Sequence, residues 1–387
     1  TTSFKTIPGA VGEGASRSSR ISSEIFANAT KQFGDFKLNV IAGQYFRQAD
    51  AKNTSVSVGN LVVPELFNVA NRAGELQGGS TYSKTRLLSV YGSVGLGYKG
   101  INVEITGRND KTSLLSAANR SYFYPGVSAS VLLSDLISVI KSSKVVSYLK
   151  LRGAWNKTGN VTVGAYGLAA TFSQASGFPY GALPGFTANN NSPDPFLKPE
   201  FVKSAEFGFE LGMLKNRISL EATYFNQDNT DQIIPISVSN ATGYTSSAVN
   251  AASFTNKGFE VDLKLTPLLK LGKADVNFKA NATYNTNKIN SVYEGLDELV
   301  VAGYTDAANY IIKNYPAYVW KATDWKRDDQ GRVIVDRLTG EPTPNTTPSI
   351  FGRTMPLWIV GLNPTVSYKN FTFSVLGEFK TGHYAYN

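Results

Sequence analysis

Residues 101–110 read INVEITGRND. Ile101, Val103 and Ile105 fall on one side of an extended chain and Asn102, Glu104, Thr106 and Arg108 on the other, because successive side chains leave opposite faces of the pleat. The stretch is a strand with one apolar and one polar face. What each face meets is the open question. In a soluble sandwich the apolar face covers a core and the polar face meets water. In a membrane barrel the apolar face meets lipid and the polar face a wet lumen.

The same alternation recurs along the chain. In LSVYGSVGLGY (88–98) Val90, Val94, Leu96 and Tyr98 share a face. SYLKLRGAWN (147–156) sets Leu149, Leu151 and Trp155 against Lys150 and Arg152, and AEFGFEL (205–211) sets Phe207, Phe209 and Leu211 against Glu206 and Glu210. GFEVDLKL (258–265) opposes Phe259, Val261, Leu263 and Leu265 to Glu260, Asp262 and Lys264. RISLEATYF (217–225), DVNFKANATY (275–284) and FTFSVLGEF (371–379) extend the series. The chain reads as all-β.

Connections discriminate better than strands. Tyr98-Lys99-Gly100-Ile101, Met213-Leu214-Lys215-Asn216-Arg217 and Tyr368-Lys369-Asn370-Phe371 are tight hairpin turns. Between such pairs lie long polar stretches, from Gln48 to Ser80, Asn156 to Lys203, Asn226 to Asn256 and Asn287 to Met355. A compact soluble domain rarely carries several structureless loops beyond about 15 residues. Short turns alternating with long loops are the mark of a large antiparallel up-and-down transmembrane β-barrel, with short periplasmic turns and long extracellular loops. Tyr98, Tyr224, Tyr284 and Tyr368 are expected near strand ends on the apolar face, where an apolar ring meets lipid and its hydroxyl meets water. A soluble β protein remains open, with a second sheet over each apolar face and Glu104, Glu210, Glu221 and Asp262 turned outward.

Composition closes off other chemistry. The 387 residues contain no Cys, which removes disulfides and thiolate metal sites, and one His, His383, which leaves little material for a Ser-His-Asp triad or a multi-His metal centre. Glycine is abundant at 35, with 20 Tyr and 22 Phe, a strand-rich profile. The net charge of +9 comes from scattered Lys and Arg without a basic run, so no nucleic-acid partner is expected. No stretch approaches the roughly 18 apolar residues a membrane helix needs. The first residues, TTSFKTIPGAVGEG, carry no signal peptide and read as the interior of something longer.

YGSVGLGYKGINVEITGRNDKTSLLSAANRSYFYPGVSASV (91–131) resembles the barrel of the SusC-like TonB-dependent transporters of the Bacteroidetes. Further segments match that family in order: YLKLRGAWNKTGN (148–160), LKPEFVKSAEFGFELGMLKNRISLEATYFNQDNTDQI (197–233), ATGYTSSAVNAASFTNKGFEVDLKL (241–265) and MPLWIVGLNPTVSYKNFTFSVLGEFKTGHYAYN (355–387). The resemblance covers nearly the whole chain. It implies an outer-membrane importer of oligosaccharides or peptides, energised by TonB acting through an N-terminal region and capped by a SusD-like lipoprotein. It also implies a plug domain and a barrel of about 22 strands, of which about twelve are counted here. These pair as 19–30 with 36–47, 83–98 with 101–108, 122–133 with 147–156, 204–213 with 217–226, 257–266 with 274–285, and 357–368 with 371–380. Residues 1–387 are thus expected to be part of a barrel, with the plug and the C-terminal strands absent. A passive porin-like or adhesive barrel is the alternative.

Candidate sites follow from the same pattern. Glu104, Arg152, Glu210, Glu260 and Asp262 are expected to face the lumen. Trp320 and Trp325, two of only four tryptophans, lie with Tyr318 in the longest loop and are candidates for contact with substrate or lid, since exposed rings stack on sugars and anchor interfaces. No metal and no cofactor is expected. In DWKRDDQGRVIVD (324–336) a calcium-loop alignment on Gly331 would put Lys326 and Arg337 at the first and last ligand positions, where calcium wants anionic oxygen. A hairpin turning at Asp328-Asp329-Gln330-Gly331 is expected instead. The carboxylate pairs Glu260 with Asp262 and Glu206 with Glu210 leave glycoside cleavage as the one enzymatic alternative.

Overall fold

A computed structural model describes residues 9–175, 178 and 180–385. In chain order the elements are β1 (Val11–Phe33), β2 (Phe36–Val58), β3 (Gln77–Tyr98), β4 (Ile101–Thr112), β5 (Ser121–Leu132), α1 (Leu133–Leu136), α2 (Ser138–Lys141) and β6 (Val146–Asn160). There follow β7 (Phe172–Gln174), β8 (Phe186–Ala188), β9 (Asn191–Ser192), β10 (Glu200–Met213), β11 (Ile218–Ser237), β12 (Ser246–Leu271) and β13 (Ala274–Val292). The last are β14 (Glu298–Gly303), β15 (Ala307–Ile312), β16 (Val319–Trp325), β17 (Pro344–Arg353), β18 (Trp358–Tyr368), β19 (Phe371–Ser374) and β20 (Gly377–Thr381).

One antiparallel meander, β1-β2-β3-β4-β5-β6-β10-β11-β12-β13-β18-β19, forms the wall, with β20 prolonging the last hairpin along β18. Among the described residues β1 pairs only with β2, and β19 and β20 only with β18, so the sheet is open.

The register makes one continuous apolar face. Phe36 opposes Tyr98 and Tyr98 opposes Ile101; Ile101 opposes Val131, and Val131 opposes Leu151. Across the second half, Phe207, Tyr224, Phe259, Tyr284 and Trp358 form one row. Within it Phe259 stacks on Tyr284 at 5.3 Å and Trp358 lies 5.0 Å from Tyr284. At the other end Phe36 stacks on Tyr98 at 4.4 Å. β18 runs 11 residues from Trp358 to Tyr368. At about 3.4 Å per residue and a tilt of about 40°, that spans roughly 26 Å, the height of a bilayer's apolar band. Among the described residues nothing covers this face: Ile105 is 61% exposed. The soluble-sandwich reading therefore fails, because no second sheet lies on it.

The strand pairs agree with the sequence expectation, and their lengths do not. β1 and β2 pair from Phe33 opposite Phe36 out to Val11 opposite Val58, well past 19–30 and 36–47. The stretch 226–256 is mostly ladder, since β11 runs to Ser237 and β12 starts at Ser246. Beyond the aromatic row both faces become polar, so the period-two signal vanishes while backbone pairing continues. For the same reason Tyr224 and Tyr284 mark the band's upper edge in mid-strand, not at strand ends. The turn joining β5 to β6 is also longer than a tight hairpin, because it contains α1 and α2.

The last hairpin is broken between β19 and β20. Pro364 in β18 has no N–H to give the ladder. There Val375 N–H donates to the Pro364 carbonyl at 3.1 Å, and the Asn363 amide donates to Val375 O at 2.8 Å.

Tight turns stand where expected. Lys99 (φ 51°) and Lys369 (φ 54°) take left-handed conformations to close their hairpins.

The longest loop is not structureless. β14, β15, β16 and β17 form a second, four-stranded sheet. A packed cluster joins this sheet to the wall, where Ile236 of β11, Val249 of β12 and Ile289 of β13 meet Leu299 of β14 and Ile311 of β15.

Candidate functional site

The polar face carries the site, and register assembles it. Reading across neighbouring strands, Lys150 opposes Glu210, Glu210 opposes Glu221 and Glu221 opposes Asp262. Three acids in adjacent strands would repel one another. Arg152 relieves this from the next row, meeting Glu221 at 2.7 Å and Glu210 at 3.6 Å, while Lys150 meets Glu210 at 3.1 Å. The Tyr148 hydroxyl donates to Glu210 at 3.2 Å, and the Arg152 guanidinium also donates to Thr223 at 2.7 Å.

Arg152 can lean across two strands because its neighbour in β10 is Gly208. A Cβ there would stand 3.3 Å from the guanidinium carbon and 3.1 Å from the Thr223 hydroxyl. Sequence reading missed Gly208, since only register sets it between Arg152 and Thr223.

A second cluster sits nearer the long-loop end on the same face. The Arg108 guanidinium donates to Asp110 and to Ser89, both at 2.8 Å, and lies 5.9 Å from the Tyr45 and Tyr91 ring centres. Tyr124 donates to Asp110 at 2.6 Å and Tyr91 to Glu24 at 2.6 Å. Ser89 is wholly buried beneath them. The sequence signal was a polar face bearing Arg108; the tyrosines come from β2, β3 and β5 and converge only through pairing.

The sheet curls toward this face. Lys37 of β2, Glu104 of β4, Arg152 of β6 and Glu206 of β10 border one cavity of about 660 Å3. Asp262 borders a smaller one of about 270 Å3 with Lys264 and Asn363. Of the five residues expected to face a lumen, all share the polar face, Arg152 and Glu210 touch, and Glu260 lies in the row of Thr223. Such a wall can hydrogen-bond and charge-match a polar solute. Within it Glu210 is committed to Lys150, Arg152 and Tyr148. Among the described residues no cluster of His, Asp and Glu is arranged to hold a metal.

The sequence matches the family described as TonB dependent receptor-like, beta-barrel over residues 3–382. The chain belongs to that family. Its receptor relatives include TonB-dependent receptor P26 of Formosa agariphila, 26% identical over 80% of this chain and 33% of the relative. TonB-dependent receptor SusC of Bacteroides thetaiotaomicron is 24% identical over 79% of this chain and 32% of its own. The chain therefore spans about a third of the length of these curated relatives. Among solved structures, the RagAB peptide transporter superposes with a TM-score of 0.82 at 18% identity, over 96% of this chain and 42% of that one. At that identity the likeness fixes the fold, that of an outer-membrane receptor barrel.

In this receptor barrel the tryptophans of the long loop sit apart. Trp320 and Trp325 belong to β16, and an odd spacing puts them on opposite faces of that strand. Trp320 is half-buried and its indole N–H donates to the Tyr384 carbonyl at 3.1 Å, which ties the loop sheet to the chain after β20. Trp325 is 46% exposed, and Tyr318 is exposed at the strand's other end. Segment 324–336 forms the expected hairpin. Gly331 N–H donates to the Asp328 carbonyl at 2.8 Å, with Gly331 at φ 79°. The Asp328 carboxylate accepts from the Arg332 and Gln330 amides and meets the Arg332 guanidinium at 2.8 Å. These contacts, the Arg332 amide first, hold the carboxyl below its usual range.

Proposed function

We propose that the polypeptide to which this wall belongs is an outer-membrane nutrient importer, energised through TonB and working with a SusD-like lipoprotein, for oligosaccharides or peptides. Membership of the TonB-dependent receptor barrel family across nearly the whole chain carries this reading. In it, the apolar face contacts outer-membrane lipid and Glu104, Arg152, Glu210, Glu260 and Asp262 line the lumen or meet a plug. The free edges of β1 and of β19 with β20 pair with other strands of the same polypeptide, since an unpaired edge in hydrocarbon leaves backbone groups unsatisfied. Nothing is bonded or broken; the fragment supplies wall and loops.

Recognition resides in the loops, because loops on a rigid scaffold carry it. Trp325 and Tyr318 offer exposed rings to a sugar, a peptide side chain or the lipoprotein. Trp320 adds its exposed edge while anchoring the loop sheet.

The test is deletion of the full-length gene, with growth on oligosaccharide or peptide as sole nutrient and co-purification of a SusD-like lipoprotein with the receptor. Uptake should vanish on deletion and on loss of TonB. Uptake that survives loss of TonB would instead establish a passive pore. Trp325→Ala that assembles normally yet leaves uptake and lipoprotein association unchanged would remove the loop from recognition.

A further inference from the structure

The sheet of β14 to β17 is fastened to the wall on both of its sides. On the first side it packs on β11, β12 and β13 through Ile236, Val249 and Ile289. Backbone bonds reinforce that seam, since Ile289 N–H donates to the Tyr315 carbonyl and Asn314 N–H to the Ile289 carbonyl, both at 2.9 Å. Between the two sides the chain passes from β17 through 354–357 into β18. There the Thr354 amide and hydroxyl donate to the Tyr318 carbonyl at 2.9 and 2.8 Å, which fixes Tyr318 at φ 61°.

The second side is made by the chain after β20. Tyr384 N–H donates to the Arg353 carbonyl at 2.9 Å, and the Trp320 indole donates back to the Tyr384 carbonyl at 3.1 Å. The Tyr384 ring lies against Gly352, at φ 140°, where a Cβ would stand 2.5 Å from the ring. Only glycine fits there. Arg353 links the two sides, because its guanidinium donates to the Asn285 carbonyl at 3.4 Å and to the Thr286 hydroxyl at 3.3 Å on β13. A closing lid needs a hinge and a side that comes away. This sheet is held on each.

We infer that Trp320, Gly352 and Tyr384 form a latch that positions the loop sheet, so that Trp325 and Tyr318 meet the nutrient from a fixed platform. Trp320 is a positioning residue in this arrangement: it lies on the face of β16 opposite Trp325 and acts through the strand. Contact residues ordered before binding lose less entropy on binding, which raises affinity. The inference rests on recognition by this loop, as proposed above.

The experiment uses the full-length receptor, with nitroxide labels at Val300→Cys on β14 and Lys257→Cys on β12 to read the distance from loop sheet to wall. The unsubstituted latch should give one narrow distance distribution, unchanged by the nutrient whose uptake is lost on deletion. Gly352→Ala, which expels the Tyr384 ring, combined with Trp320→Phe, which removes the N–H, should broaden it. The same pair should raise the half-saturation concentration for uptake about fivefold or more while maximal rate and receptor yield stay unchanged. Tyr384→Phe retains both the ring and the carbonyl and should keep the distribution narrow. Leu338→Ala, at a 97% exposed site in the same loop, should alter neither readout. A narrow distribution in the double variant, a broadened one with unchanged half-saturation, or a distance that shifts when nutrient is added would each overturn the latch. The distance is measured without nutrient as well, so failure of the importer reading is told apart from failure of the latch.

Discussion

The wall and the sheet above it are stabilised in different ways. In the wall, β4 has both faces open: Ile105 is 61% exposed on one side and Glu104 borders a cavity on the other. Its order comes from lateral pairing, with β3 and β5 both laddered to it through nearly its whole length. In the long loop, β14 to β17 make a sheet whose order depends on burial. Ile289 and Val319 are each only 1% exposed, and Asn287 Oδ1 accepts the Ala317 amide at 2.7 Å to seat the loop on β13. Where the surroundings are apolar a strand needs no core, because unmade backbone hydrogen bonds cost more than exposed side chains. Where water surrounds it, a sheet needs one.

The largest expected effect tests the loop. Ile289→Ala removes a side chain from the hydrophobic cluster that joins β13 to the loop sheet, at a cost of about 2–5 kcal/mol. The region 293–357 should become sensitive to protease in intact cells while the barrel stays heat-modifiable on gels. Simultaneous loss of both would mean that loop and wall fold as one unit, and the contrast would break.

Next is the wall itself. Ile105→Lys puts a charge in the middle of the apolar band, costing about 2–4 kcal/mol, whereas Thr106→Lys meets the polar face and costs little. Assembly yield in the outer membrane should fall for the first alone. Equal yields would contradict the assignment of faces.

A smaller effect is expected at Gly208. The added methyl of Gly208→Ala would approach the Ala222 carbonyl oxygen to 2.8 Å and crowd Arg152, a strain of about 1–3 kcal/mol. The urea midpoint should drop, and Arg152→Met added to it should cost less than it does alone, because the contact is already broken. Additive losses would mean that Gly208 is not what seats the guanidinium.

The smallest concerns the loop hairpin. The Asp328 carboxyl is held below its usual value by the Arg332 amide and guanidinium, so its contribution is present above the unfolded value, about 3.9. It fades as pH falls through the lower folded value. Amide protection at Gln330 and Arg332, compared with Asp328→Asn at each pH, should be greater at pH 5 and converge toward pH 2. Identical protection at pH 5 would show that the backbone alone holds the turn.

Much of this molecule was legible as sequence because alternation is a one-strand property. INVEITGRND gives its two faces without reference to any neighbour, and Tyr98-Lys99-Gly100-Ile101 gives its turn by residue type. The six hairpin pairings followed, as did the resemblance that named the family. Strand ends were not legible: past Phe259 the outward residues are Lys257 and Thr255, and a strand that is polar on both sides looks like a loop. Nor was order in 287–355, where the short strands of the second sheet lie between polar turns and become one body only by burying Ile289 and Leu299.

The sequence by itself therefore determined the strands, their tight turns and which residues share a face. Only the tertiary structure decided which residues of different strands meet. Arg152 reaches Glu221 past Gly208, and Arg108 gathers tyrosines from β2, β3 and β5. The physical reason is that alternation along a strand is set by local backbone geometry, while cross-strand register depends on turns and partners that lie far off in the chain.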